Sequence, residues 1–103
     1  MADQRITVYI SIGNSDDKLP QSAWSAYVYE AGIIANSGQA KHGDWVSRSS
    51  SPYQNACWCV EVLPQQVNPM KDSLRGLAGK YNQDSIAWAV APVTEFLAPE
   101  ESR

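Results

Sequence analysis

The residues of this chain best suited to catalysis or metal binding are one histidine, two cysteines and an acidic pair. His42 lies between Lys41 and Gly43 and has no second histidine to work with. It reads as a surface or strand-end residue, with a general base as the alternative. No GxSxG nucleophile turn, Walker lysine loop or GxGxxG turn occurs. Asp16-Asp17 closes the turn-forming run Gly13-Asn14-Ser15; such pairs are ordinarily solvated, and a magnesium ligand is the other reading. Cys57 and Cys59 would point to the same side of a strand. They are too close in sequence for an easy disulfide, and two thiols leave a tetrahedral zinc site incomplete. Reduced, buried thiols are expected, with a metal shared between subunits as the alternative. Nothing in this set argues for turnover, and no cofactor is expected.

The binding inventory is richer. Four tryptophans are heavy usage for 103 residues. Trp24, Trp58 and Trp88 recur in step with apolar neighbours and read as core. Trp45 has His42, Gly43, Asp44, Ser47 and Arg48 around it. An indole in polar surroundings beside a glycine suits a stacking platform for a base; a strand-edge aromatic capping the core is the competing reading. The run Ser51-Pro52-Tyr53-Gln54-Asn55-Ala56 carries two adjacent amides. Amides offer a donor and an acceptor side by side, as a purine edge requires, although ordinary turn chemistry is the favoured reading on the residues alone. Asn14 is a further amide candidate. Arg5, Arg48 and Arg75 are the arginines expected within folded elements, and guanidinium forks pair bidentately with phosphate.

The elements that must position these residues follow from periodicity. Arg5 to Ile12 alternates, with Ile6, Val8, Ile10 and Ile12 on one face, as a half-buried strand does. Pro20 opens a helix on which Trp24, Tyr27, Val28, Ala31, Ile34 and Ala35 recur, and Asn36-Ser37-Gly38 stops it. Ala40 to Ser49 and Asn55 to Leu63 read as strands. A second helix is expected from about Val67 to Tyr81, with Val67, Met70, Leu74, Leu77, Ala78 and Tyr81 as its apolar stripe. The last strand runs from Ser85 to about Ala91, and Val93 to Leu97 could continue it as an edge beyond Pro92. The order β-α-β-β-α-β in one domain spanning 1–103 predicts an α+β fold. Its four-stranded antiparallel sheet carries two helices on one face, ferredoxin-like or a variant.

Composition narrows the function. With 44% hydrophobic and 18% charged residues the chain can form an ordinary core. A net charge of −3 argues against coating long nucleic acid, which needs dense Lys/Arg surfaces. Eight cations still suffice for a small phosphate ligand. No apolar run approaches the roughly 20 residues of a bilayer span. No cationic segment followed by an apolar one opens the sequence, so the cytoplasm is expected. The sheet face away from the helices would carry Tyr9, Cys57, Cys59, Ala87, Ala89 and Ala91, with Glu61 as the exception. A face so poor in charge usually meets another subunit, and self-association is expected.

Four blocks together resemble the first type of Thoeris anti-defence proteins, small bacteriophage proteins that sequester a host immune signal. They are Ile12-Gly13-Asn14-Ser15-Asp16-Asp17-Lys18-Leu19, His42-Gly43-Asp44-Trp45-Val46-Ser47, Ser51-Pro52-Tyr53-Gln54-Asn55-Ala56-Cys57-Trp58 and Tyr81-Asn82-Gln83-Asp84-Ser85-Ile86-Ala87-Trp88. The resemblance spans nearly the whole chain, and the third and fourth blocks are the most specific. It implies intact capture of glycocyclic ADP-ribose in the host cell cytoplasm, at sites between subunits of a homo-oligomer built from dimers, hexameric in some members. Some relatives also hold cyclic trinucleotides at separate sites. The family site has an aromatic residue stacked on the base, an asparagine about ten residues later and arginines near the phosphates. The resemblance places Trp45 and Asn55 in the first two roles and Arg5 and Arg75 in the third. Some relatives have phenylalanine where this chain has Trp45. Arg48, Gln54 and Asn14 join the candidates from their own chemistry.

The energetics suit a sequestering protein. A stacked base contributes about 1–3 kcal/mol and a charge-assisted phosphate contact about 1.5–3 kcal/mol. Nanomolar capture needs about 12 kcal/mol, and a rigid cyclic ligand loses little entropy on binding. Two other classes compete: an enzyme that cleaves the same messenger, and a protein-interaction module that blocks a defence effector directly.

Overall fold

A computed structural model describes residues 4–48 and 50–100. Its elements are β1 (Ile6–Gly13), a short 3-10 turn (Ser15–Asp17), α1 (Gln21–Ala35), β2 (Ala40–Val46), β3 (Asn55–Val62), α2 (Pro64–Lys80) and β4 (Ala87–Ala91). The chain is α+β, and the strands form one antiparallel sheet in the order β2-β3-β1-β4. Each β-α-β unit thus leaves a gap that a strand of the other unit fills, an arrangement compatible with the ferredoxin-like type.

Alternation decides which face is buried. Val8 pairs with Val60 and Val90, and Ile10 pairs with Trp58 and Trp88. Val8, Ile10, Ile12, Ala56, Trp58, Val60 and Val62 meet Trp24, Tyr27, Ala31 and Ala35 of α1 and Met70, Leu74 and Leu77 of α2 in one core. Both helices therefore cover the same face. Trp88 is only partly buried, and Val90 is half exposed, because β4 is an edge strand at the rim of the helix layer.

Several boundaries differ from the periodicity reading, each for a local reason. β2 stops at Val46 rather than Ser49. The Ser47 amide donates to the Asn55 carbonyl, but the Asn55 amide turns to the Ser47 hydroxyl at 2.9 Å, which ends the ladder. α2 starts three residues before Val67. Pro64 fits its first turn, and the Gln66 side chain accepts the Leu63 N–H at 2.8 Å. At its other end Asn82 takes a left-handed conformation. Gln83 then donates to the Ala78 carbonyl and Asn82 to the Gly79 carbonyl, the Schellman pattern. β4 begins at Ala87, two residues later than expected, and residues 93–97 form no strand.

Gly38 lets the chain leave α1 close to the sheet. A Cβ there would lie 2.8 Å from the Glu61 carbonyl oxygen. Across the helix pair, Glu30 of α1 accepts from Lys80 at 2.7 Å and from the Tyr81 hydroxyl. No helix among the described residues is long and apolar enough to cross a membrane.

Candidate functional site

The uncovered sheet face is flat, small-residued and poor in charge. Register sets its rows: Trp45, Cys57, Ser11 and Ala87 in one, and Gly43, Cys59, Tyr9 and Ala89 in the next. A third row holds Ala40, Glu61, Thr7 and Ala91. Trp45 is 56% exposed and Tyr9 43%. The indole therefore does not cap the core; it stands on a shelf. Two strand spacings and one row, about 12 Å, separate Trp45 from Tyr9, with the cysteines as the floor between them. Gly43 contributes no side chain, so the ground beside the indole stays open. The Cys59 thiol, first by hydrogen bonding and then by charge, pushes the Tyr9 hydroxyl above its ordinary value. The cysteines are reduced and half-buried on this shelf rather than sealed in the core, which corrects the expected burial.

Asn55 belongs to the same place. It sits two residues before Cys57 on the same face of β3, a diagonal neighbour of Trp45 at about 7–8 Å. Its amide nitrogen donates to the Tyr53 carbonyl at 3.0 Å, and its Oδ1 has no bond among the described residues. Arg48 follows Ser47 in the exposed loop after β2, at the same end of the sheet. Tyr53, 82% exposed in that loop, adds a second aromatic beside the candidate residues. It lies within the Ser51–Ala56 run, where the adjacent amides are the more obvious base readers by residue type.

Those amides do other work. Gln54 is 5% exposed, and its Oε1 accepts from Gln21 Nε2 at 3.0 Å and Asn14 Nδ2 at 3.1 Å. Its Nε2 donates to Gln21 Oε1 at 2.8 Å. Asn14 Nδ2 also donates to the Leu19 carbonyl at 3.0 Å, and its Oδ1 accepts the Leu19 N–H at 2.9 Å. Gln54 is thus turned inward with one Nε2 hydrogen left over, and Asn14 keeps only one Oδ1 lone pair, so neither presents the adjacent free donor and acceptor that a purine edge requires. They anchor a stitched loop. Gln83 Oε1 accepts the Ser15 N–H at 2.8 Å, and Lys18 meets Asp84 at 3.4 Å. A cleft of about 530 Å3 lies there between residues 13–17 and 52–55. Its rim holds Asp16 and Asp17, both left-handed and exposed, which repel a phosphate. No cluster of metal-ligating side chains occurs among the described residues.

The other arginines lie elsewhere. Arg5 precedes β1 at the end of the sheet opposite Gly13, eight residues away. At about 3.3 Å per residue it is some 25 Å from the Asn55 end. Arg75 lies on α2, on the far layer, paired with Asp72 at 3.0 Å. One copy therefore brings together Trp45, Asn55 and Arg48, but not Arg5 or Arg75. His42 sits at the β2 irregularity between Lys41 and Gly43, and its Nε2 meets Glu61 Oε2 at 2.7 Å. That pair occupies the corner of the shelf next to the Gly43 row.

No family model matches the chain, and no curated protein sequence matches it. The resemblance to the anti-defence proteins therefore rests on the quoted blocks alone.

Proposed function

We infer that this protein is a non-catalytic binder that sequesters an adenine-bearing cyclic nucleotide, of the glycocyclic ADP-ribose type, on the uncovered sheet face. The observation that carries this is Trp45: a large aromatic held more than half exposed above small residues, with the Asn55 amide oxygen, unbonded among the described residues, diagonal to it. Open antiparallel faces bearing exposed aromatics are stacking platforms for bases. The acidic chain and the scarcity of cations on this face favour a compact ligand with two phosphates over a long strand. Arg48 is the phosphate partner within one copy. Arg5 lies beyond the Thr7 row and reaches the Trp45–Asn55 end of the shelf only from a second copy laid face to face and turned end for end, which accords with a site between subunits. With the resemblance, this reading makes the protein an anti-defence sponge that withholds the messenger from a host effector in the cytoplasm.

One observation favours a second reading. The His42–Glu61 pair is an oriented imidazole at the edge of the same shelf, the arrangement of a general base. Incubating the protein with glycocyclic ADP-ribose, heating it and analysing the released material by mass spectrometry separates the two. A sponge returns the compound intact. Released hydrolysis product, abolished in His42→Ala, would overturn the sponge reading.

A further inference from the structure

The helix-side rim of β4 and the segment after it are both unsatisfied. Between α2 and β4 lies a cleft of about 670 Å3 with Leu74, Ala78, Ile86 and Trp88 as its apolar floor and Lys71 and Arg75 at its rim. The Lys71 ammonium lies over the Trp88 ring, 5.5 Å from its centroid. Asp84 also lines the cleft but is engaged by Lys18. Beyond Pro92 the chain carries Val93, Phe96 and Leu97 at 77%, 92% and 87% exposure. Such exposure of three large apolar residues within five positions is costly in water. The molecule's dimensions agree with an arm standing off the body. Its extents are 54 × 39 × 18 Å and its radius of gyration is 16.0 Å, whereas a domain of about 100 residues has roughly 13 Å.

We propose that residues 92–100 form an exchanged arm that seats Phe96 and Leu97 in the α2/β4 cleft of a second copy. Charge selects this surface. The arm carries Glu95 and Glu100, and the cleft's rim carries Lys71, which has no carboxylate partner among the described residues, beside Arg75, which is paired with Asp72. The uncovered sheet face offers Glu61 at its charged corner instead. Direction selects a second copy. Ala91, where the arm begins, pairs with Thr7, at the opposite end of β4 from Ile86 and Trp88. To fill its own cleft the arm would have to reverse at Pro92 and run back past Val90. A neighbouring copy receives it without that reversal. Two reciprocal arms, each with a phenylalanine that buries about 150–250 Å2 and two aliphatic side chains, approach the roughly 1,000 Å2 of a specific interface. The arm uses the layer opposite the sheet face, so the proposal stands whether or not a nucleotide binds there.

The chain's single phenylalanine makes the test direct. Protein labelled with carbon-13 only at phenylalanine is mixed with unlabelled protein, and isotope-filtered NOE spectra are recorded. The expected result is contact from the Phe96 ring to the indole of Trp88 and the methyls of Leu74 in unlabelled copies. In the Phe96→Ser/Leu97→Ser variant the dissociation constant of the assembly should rise tenfold or more. A freely tumbling Phe96 signal, contacts confined to its own chain, or unchanged assembly in the double variant would each overturn the arm exchange.

Discussion

Trp45 and Gln54 are separated by nine positions, and the account gives them opposite kinds of importance. Removing the indole in Trp45→Ala should cost about 1.4 kcal/mol or more, within the roughly 1–3 kcal/mol of a stacked base, seen by calorimetry as affinity weakened tenfold or more, while the melting temperature holds. Asn55→Ala should weaken binding in the same direction. Gln54→Ala should do the reverse: it strands Asn14 and Gln21 around a buried site and destabilises the fold by about 1–3 kcal/mol, measured by urea unfolding. The sequence made both amides look like base readers because their partners, Gln21, Leu19 and Asn14, arrive only through the tertiary fold. Tyr27 makes a further residue-scale case. It is fully buried, its hydroxyl has no partner among the described residues, and burial pushes that hydroxyl up to about 12. Tyr27→Phe removes an unsatisfied polar group and should raise stability by about 1 kcal/mol in the same unfolding experiment.

Between elements, the helix pair is clamped by Glu30, and this fixes a pH dependence. Lys80, and then the Tyr81 hydroxyl, hold the Glu30 carboxyl below its ordinary range. A depressed folded value stabilises fully above the ordinary glutamate range and loses that contribution as pH falls through it. Stability should therefore drop on acidification more steeply in the wild type than in Glu30→Gln, as denaturation midpoints across a pH series would show. The Gly38→Ala variant should destabilise by crowding the Glu61 carbonyl, moving the melting temperature without touching ligand affinity. The elements themselves were readable from the residues. Strict alternation in residues 6–12 and 55–62 and the helical stripe through Met70 and Leu74 are set by burial against one core. Their ends were less readable, because Ser47 and Gln66 set them through side-chain bonds that periodicity does not carry.

At the scale of the whole molecule, the face-to-face arrangement is the part of the account that a single chain leaves incomplete. Arg5 was visible as a phosphate candidate by its type, but its distance from Trp45 emerges only from strand length and direction. If a second copy supplies it, a mixture of Trp45→Ala and Arg5→Ala proteins should regain sites that neither has alone, with half of the sites in mixed dimers intact. Arg75, turned to the opposite layer, should be dispensable for the nucleotide. Titration of wild type, Trp45→Ala and Arg75→Ala with glycocyclic ADP-ribose in a calorimeter tests the central claim most directly. The account predicts tight binding by the wild type and Arg75→Ala, and at least a tenfold loss in Trp45→Ala. Absence of heat with the wild type, or equal affinity in all three, would contradict it.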